Sequence, residues 1–333
     1  MKLDTKNPWL VGIIGGAIGA VLAGIILYYL FEYRIQENLK TILMSSLNNA
    51  DRLLEKSMTT DALEIYKDLL KTISEKKEPQ LYAHIKSKEG ICYRNLAQVS
   101  NKEENLIKSI QVYEEALKIY TIEKYPVDYA MTQNNLGIVY RELSEVRDKE
   151  ENVMKAIHAC EEALKIYTME KYPVNYATTQ NTLGTAYTTF SEVRNKEENL
   201  TKAIQSFEEA LKIYTIERYP INYAVTQNNL GVAYKAFSEV RNKEENLTKA
   251  IHACEEALKI CTIEKYPINY AMTQNNLGNA YQDLSLVREK GENLNKAILA
   301  YEEALKIYTA EEYPLNYEGV MSNLKKTKQM MKK

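Results

Sequence analysis

Glu161-Glu-Ala-Leu-Lys-Ile-Tyr167 recurs along the chain at a constant step of 47 residues. The other copies lie at 114–120, 208–214, 255–261 and 302–308, and Cys261 replaces the final tyrosine in one of them. Self-similarity at a fixed period of about 20–50 residues is typical of proteins built from stacked structural repeats. The spacing therefore predicts an array of equivalent units without insertions between them.

The residues that interrupt helices follow the same spacing. Between these positions the sequence is rich in Glu, Lys, Leu and Ala, which favour helix over strand. The pattern predicts an all-α fold in which proline and glycine mark equivalent points of each unit. The prolines of this set are Pro79, Pro126, Pro173, Pro220, Pro267 and Pro314, and the glycines are Gly90, Gly137, Gly184, Gly231 and Gly278.

One unit, residues 175–220, shows how the repeat is expected to fold. Asn175 is a candidate cap for a first helix over 176–193, and a polar turn at 194–199 precedes a second helix over 200–217. Each predicted helix carries one apolar stripe. Since a single helix pair cannot bury both stripes, stacking of successive pairs is needed to complete the core.

The unit resembles the tetratricopeptide repeat (TPR), whose usual length is about 34 residues. Gln180 stands where that family has tryptophan, and the longer unit is most similar to the kinesin-light-chain type of TPR. The resemblance implies a right-handed superhelix and covers roughly residues 80–325. The residues that match the family pattern are Leu183, Gly184, Tyr187, Ala203, Phe207, Ala210 and Pro220.

The repeat register divides the chain into segments. A TPR array is predicted over 81–315, preceded by a helical connector and degenerate first repeat at 32–80. Residues 316–333 align with a first helix but carry Lys325 and Lys328 at the glycine and tyrosine positions. A terminal helix with a polar outer face is what a solenoid needs, so this segment is predicted to cap the array.

Residues 9–31 contain no charged side chain. About 20 apolar residues suffice for a helix to span a bilayer, and Trp9 and the Tyr28–Phe31 cluster would lie at its two interfaces. The run is long for a signal peptide and ends in bulky aromatic residues. We therefore expect a short tail at 1–8 followed by a single-pass transmembrane helix.

Small residues recur every four positions in this segment, at Gly12, Gly16, Ala20 and Gly24. Such a face lets two membrane helices approach closely, which predicts self-association, although glycine is also common in membrane helices generally.

Orientation is weakly encoded around the predicted membrane helix. Lys2, Lys6 and the terminal amine precede the segment, and Arg34 and Lys40 follow it. Because positive charge favours the inner side, this count leans slightly toward an inside N-terminus and outside repeats.

The helical pattern continues beyond the membrane segment. An apolar stripe runs from Ile35 through Leu39 and Ile42 to Leu54, without Gly or Pro. We expect one helix to continue to about Lys56 and to pack this stripe on the first repeat helix. A parallel coiled coil with a second chain is the alternative.

Net charge and the positions of the chemically reactive residues disfavour several classes of function. The formal net charge of −2 gives no field that favours nucleic acid. His84, His158 and His252 are too scattered for a metal site, and the four cysteines are interpreted as small core residues. No nucleophile–base pair or phosphate loop is present, so neither a cofactor nor an enzymatic activity is predicted.

In TPR proteins the first helices line a concave groove that binds peptides, and the resemblance transfers this role by position. Amide side chains can pair with the backbone of an extended peptide, although they can equally act as spacers or bond neighbouring helices. Basic candidates are too interrupted for capture of acidic C-termini. The predicted groove residues are Asn134, Asn135, Asn181, Thr182, Asn228, Asn229, Asn275 and Asn276, with Arg141 and Lys235 one turn further on.

Two functions fit these observations. The first is a membrane-anchored, non-catalytic scaffold or adaptor that binds a protein or peptide in its groove. The alternative is a structural subunit of a homo- or hetero-oligomeric membrane assembly formed through the glycine-faced anchor.

Overall fold

The computed structural model describes residues 8–332, with side chains described for 28, 29, 31–34 and 37–332. This part of the chain forms thirteen α-helices and contains no strand. They are α1 (Pro8–Glu55), α2 (Thr59–Thr72), α3 (Pro79–Ala97), α4 (Lys102–Leu117), α5 (Pro126–Ser144), α6 (Lys149–Leu164), α7 (Pro173–Ser191), α8 (Lys196–Leu211), α9 (Pro220–Ser238), α10 (Lys243–Leu258), α11 (Pro267–Leu284), α12 (Lys290–Ala304) and α13 (Pro314–Met331).

The helix α1 is continuous and ends at Glu55, in agreement with the predicted end near Lys56. Leu47 and Ala50 are buried in a cluster with Leu63 and Tyr66 of α2, so α1 serves as the first helix of the first pair. Leu39 and Ile42 remain 45% and 63% exposed. The predicted packing of the α1 stripe is therefore correct only for its C-terminal part.

The membrane prediction falls mostly outside the described side chains. Those of residues 9–27, which include Gly12, Gly16, Ala20 and Gly24, are not described. Among the residues that the structure describes, no helix is both long and apolar enough to cross a membrane.

Helix boundaries differ from the sequence prediction in the unit at 175–220. The helix α7 begins at Pro173, not after a capping Asn175, because proline is preorganised for the first helical position and has no N–H to satisfy there. The helix α8 extends from Lys196 to Leu211 and ends before the predicted Glu217. Tyr214 and Tyr219 then pack edge to face at 5.8 Å in the connection to α9.

A left-handed residue precedes each second helix from α4 onward. Asn195, for example, has a φ of 48° and makes no side-chain cap bond. The loop is held instead by Asn199, whose Nδ2 donates to the carbonyl of Arg194 at 2.8 Å. Asparagine and aspartate tolerate this conformation better than other non-glycine residues. The left-handed residues are Asn101, Asp148, Asn195, Asn242 and Glu289.

Among these five left-handed residues, Glu289 is neither Asn nor Asp, and its φ is 47°. Its side chain is therefore less suited to the left-handed conformation. Glu289→Asn is expected to stabilise the protein by about 0.5–1 kcal/mol because it relieves left-handed strain. The urea midpoint followed by circular dichroism measures the change. Glu292→Asn is the matched control in helical backbone and should destabilise, because it also removes the contact with Lys296. Equal shifts for both variants would contradict the explanation.

The repeat glycines are the points of closest approach within each helix pair. An added Cβ at Gly184 would lie 2.7 Å from Phe207, and one at Gly137 would lie 2.7 Å from the sulfur of Cys160. Cys160 is fully buried, which confirms its interpretation as a small core residue. Glycine is required here so that an aromatic ring or thiol can pack against the helix backbone.

The Glu-Glu pair of the opening motif bonds tyrosines of neighbouring first helices. Tyr234 donates to Glu208 at 3.0 Å, and Tyr176 donates to Glu209 at 3.1 Å. Lys212 pairs with Glu209, three residues earlier in the chain. The motif is therefore part of the connection between units.

The last helix, α13, begins at Pro314 and has the polar character predicted for a cap. Glu318 and Lys325 are exposed at the positions where α11 has Ala271 and Gly278 buried. Lys328 replaces the repeat tyrosine and pairs with Glu302 at 2.8 Å. The first glutamate of the last Glu-Glu pair therefore still has a bonding partner on the next first helix.

Candidate binding surface

The first helices form a continuous layer. Each of α3, α5, α7, α9 and α11 contacts the first helix of the next unit, whereas the second helices pack mainly on the first helices beside them. A stack whose one layer is more closely spaced curves toward that layer. We call the side of α3, α5, α7, α9 and α11 that faces away from the second helices the inner face.

Four of the predicted groove asparagines bond one another across units. Nδ2 of Asn229 donates to Oδ1 of Asn181 at 3.2 Å, and Nδ2 of Asn276 donates to Oδ1 of Asn228 at 3.0 Å. Both bonds join residues 48 positions apart, one more than the repeat period. These amides therefore hold neighbouring first helices together.

The series of hydrogen bonds between residues 48 positions apart is interrupted at two positions. Thr182 donates to the carbonyl of Thr178 on its own helix, and Asn323 donates to Asn279 rather than to Asn275. As a result, the buried Oδ1 atoms of Asn134 and Asn275 accept no hydrogen bond from any described residue. Asn135 is half-buried on the same side of α5.

The basic side chains on this surface are all engaged in ion pairs. Arg94 contacts the buried carboxylate of Glu142 through Nε at 3.0 Å and Nη2 at 2.7 Å. Since their charges are balanced internally, these residues do not form a free cluster for carboxylate recognition. The remaining pairs are Lys88 with Asp51 at 3.2 Å, Arg141 with Glu145 at 2.7 Å, and Lys235 with Asp283 at 3.0 Å.

The central helix α7 presents threonines instead of charges. Thr185 donates to the carbonyl of Asn181 at 3.0 Å and Thr188 donates to that of Gly184 at 2.9 Å. Because these hydroxyl hydrogens are used within the helix, the surface there offers methyl groups and acceptor lone pairs. The middle of the inner face is therefore uncharged, with ion-paired sections on both sides.

Cavities open along this layer. One of about 590 Å³ lies between α1 and the start of α3, lined by Met44, Leu81 and His84 among others. Burial lowers the pKa of His84, and nearby Lys88 lowers it further. A second, of about 120 Å³, lies between α7, α9 and Tyr214 of the connection that follows α8.

A buried carboxylate on α3 makes stability depend on pH. Burial raises the pKa of Glu89, and Lys86, whose Nζ lies 3.1 Å from Oε2, only partly offsets this. A raised folded-state pKa means that the folded protein holds the proton more tightly than the unfolded chain. Stability therefore falls as the pH rises from the ordinary value of 4.5 through the folded pKa.

Glu89→Gln is expected to flatten this decline, because the amide stays neutral at every pH. Urea unfolding between pH 4 and pH 7 measures the difference from the natural sequence. Glu198→Gln is the control, because the pH dependence of stability that it removes has the opposite sign. The bond from Lys202 lowers the pKa of Glu198, whereas burial raises that of Glu89. An unchanged slope in Glu89→Gln would show that another group carries the dependence.

Potential metal ligands are scattered and the thiols are buried in the described part of the chain. No group of three or more His, Cys, Asp or Glu side chains there could hold a metal ion. The thiols of Cys92, Cys160 and Cys254 are buried, and burial raises the pKa of each to about 12.

Sequence reasoning missed the acidic partners on the inner face, Glu142 and Asp283. Each lies 48 positions after its basic partner, Arg94 or Lys235. The sequence signal for these pairs is the opposite charge of two residues in successive units, at an offset close to the 47-residue period. It cannot be seen within a single helix.

The regular pairing of helices, the glycine contacts and the layered first helices define a TPR-like helical repeat solenoid. No protein-family model matches the sequence, and no curated protein matches it.

Solved structures of TPR proteins are similar to this chain. A thermophilic TPR protein from Thermus thermophilus is 17% identical, with 73% of this chain and 98% of the other covered and a TM-score of 0.46. The C-terminal part of a TPR repeat-containing protein from Cytophaga hutchinsonii is 16% identical, with coverages of 86% and 100% and a TM-score of 0.44. The TPR2AB domain of yeast Sti1, solved in complex with pHSP90, is 14% identical, with coverages of 84% and 99% and a TM-score of 0.26.

Proposed function

We propose that this protein is a non-catalytic scaffold or adaptor that binds a protein or peptide on its inner face. The observation that carries the proposal is the contrast between a uniform framework and a varied surface. Framework positions such as Leu136, Leu183 and Leu230 are identical and buried. By comparison, Met131, Thr178 and Val225 are equivalent positions of the first-helix layer that differ from unit to unit.

The inner face favours some partners over others. Because its basic residues are ion-paired, an acidic C-terminus would have to displace Glu142, Glu145 or Asp283. The uncharged section on α7 fits an extended segment with few charges, whose backbone N–H groups can donate to threonine oxygens. Asn134 and Asn275 stay candidate contacts beside this section.

Paired methionine variants test the inner face. Met131 on α5 and Met154 on α6 are 37% and 46% exposed, so Met→Glu is tolerable at either position. Chemical cross-linking in native membranes, followed by purification of the full chain, identifies bound proteins. We expect Met131→Glu to lose a partner that Met154→Glu keeps. Equal recovery by both variants would contradict binding on the inner face.

The anchoring part of the proposal is a single-pass helix at 9–31 that associates through Gly12, Gly16, Ala20 and Gly24. Its support is the uncharged sequence and the small-residue spacing. Resistance to alkaline extraction tests the anchor, and loss of cross-linked dimers in Gly16→Leu tests the association. Protease protection in sealed vesicles tests the proposed orientation with the repeats outside.

A structural subunit is the second candidate, favoured by the exposed Leu39 and Ile42 on α1. These side chains leave one end of the solenoid apolar, whereas Glu318 and Lys325 make the other end polar. Sedimentation of the full chain in detergent separates the candidates. A dimer that dissociates in Leu39→Glu/Ile42→Glu supports assembly through α1, and a monomer in the natural sequence excludes it.

A further inference from the structure

The cavity of about 120 Å³ brings together three positions singled out on the inner face, Thr178, Asn181 and Val225. Ile221 adds an apolar wall, and the exposed Asn222 marks the side that opens to solvent. No charged side chain lines the cavity among the described residues. It is thus a small, neutral recess within the proposed binding surface.

A buried hydroxyl without a partner lines the same cavity. Thr226 is 1% exposed, and its Oγ1 has no hydrogen-bond partner among the described residues. Its equivalents Thr132, Thr179 and Thr273 each donate to the carbonyl four residues earlier. A buried hydroxyl left unpaired is unfavourable, so this unit differs from its sisters in holding a polar group that a ligand could satisfy.

We propose that this cavity is a socket that receives one side chain of the bound partner, and that Thr226 hydrogen-bonds the tip of that side chain. This inference rests on the proposed function, since it assigns a specificity site on the same inner face. The partner residue it fits is uncharged, short and partly apolar, with one hydrogen-bonding group, as in threonine or asparagine.

Size and chemistry select this class. An engineered cavity of about 150 Å³ is sufficient for benzene, so the smaller socket excludes Phe, Tyr and Trp side chains. A carboxylate or ammonium group would lose its hydration without gaining a counter-charge. A purely aliphatic side chain would fit the walls but would leave the Thr226 hydroxyl unpaired. Specificity at this site thus comes from its volume, its lack of charge and the hydrogen bond to Thr226.

A random dodecapeptide library displayed on phage tests the socket on the full chain in nanodiscs. Peptides selected by the natural sequence are expected to share Thr, Ser or Asn at one position. Val225→Phe fills the cavity and should weaken their binding at least 10-fold. Val127→Phe, on the exposed start of α5, is the control and should bind as the natural sequence does. Thermal unfolding of each variant confirms that the array remains folded.

Thr226→Val isolates the hydrogen bond because it preserves the shape of the side chain. It should weaken binding of a selected threonine peptide and leave binding of the same peptide with valine unchanged. If Met131→Glu abolishes peptide binding while Val225→Phe and Thr226→Val do not, the socket is wrong and the inner-face function stands. A library that yields only peptides insensitive to Met131→Glu overturns both.

Discussion

Replacement of Gly184 by alanine is expected to destabilise the solenoid by about 1–3 kcal/mol through overpacking. The added Cβ would lie 2.7–2.9 Å from three carbons of the Phe207 ring. That ring is 1% exposed and packed in the core of the unit, so it cannot move aside without disturbing α8 and α9. Urea unfolding followed by circular dichroism measures the loss.

Gly319 on α13 provides the matched control. An added Cβ there meets nothing within 4 Å, and its backbone is helical. Gly319→Ala should therefore stabilise by about 0.5–1 kcal/mol, since alanine loses less backbone entropy than glycine in a helix. The same substitution thus has opposite signs at the two sites. If both variants were stabilised, the close approach of α7 and α8 would be contradicted.

The second large effect is expected from Arg94→Met. Glu142 has only 6% of its side chain exposed, and its Oε1 accepts two bonds from Arg94. Removal of the guanidinium leaves a buried carboxylate, which should cost about 2–3 kcal/mol, less than for a fully buried pair because Arg94 is partly exposed. Arg141, 3.7 Å from the same oxygen, supplies limited compensation.

Two further variants separate this charge effect from the loss of packing. Arg94→Met/Glu142→Gln removes both charges and should recover most of the stability. Lys149→Met breaks the exposed pair with Glu192 and should cost less than about 1 kcal/mol. An equal cost for Arg94→Met and Lys149→Met would show that the inner pair is no more important than a surface pair.

The helix content and the pairing of helices were predictable because they follow from local residue choice. The 47-residue spacing of Gly184, Pro173 and their equivalents marks where helices approach closely and where they start. The boundaries were less accurate, since Pro173 starts α7 directly and Asn195 adopts a left-handed conformation without a side-chain cap. Both effects depend on backbone geometry that periodicity does not specify.

The candidate site was predictable only in outline. The groove asparagines were placed on the first helices, but the bonds between Asn181 and Asn229 and between Asn228 and Asn276 were not predicted. Their offset of 48 arises because the facing sides of two neighbouring helices carry different repeat positions, here adjacent residues that lie about 100° apart around a helix. The same offset pairs Arg94 with Glu142 and Lys235 with Asp283, and so neutralises the predicted basic contact Lys235.

The sequence by itself determined that this chain is a stack of equivalent helix pairs, because a strict period of apolar and glycine positions leaves no other way to bury its stripes. Only the tertiary structure decided which polar residues face a neighbouring helix and which remain open. It also revealed the unpaired hydroxyl of Thr226 beside a small cavity. Such features depend on the packing of side chains from two helices and the connection between units, and no single stretch of sequence contains that information.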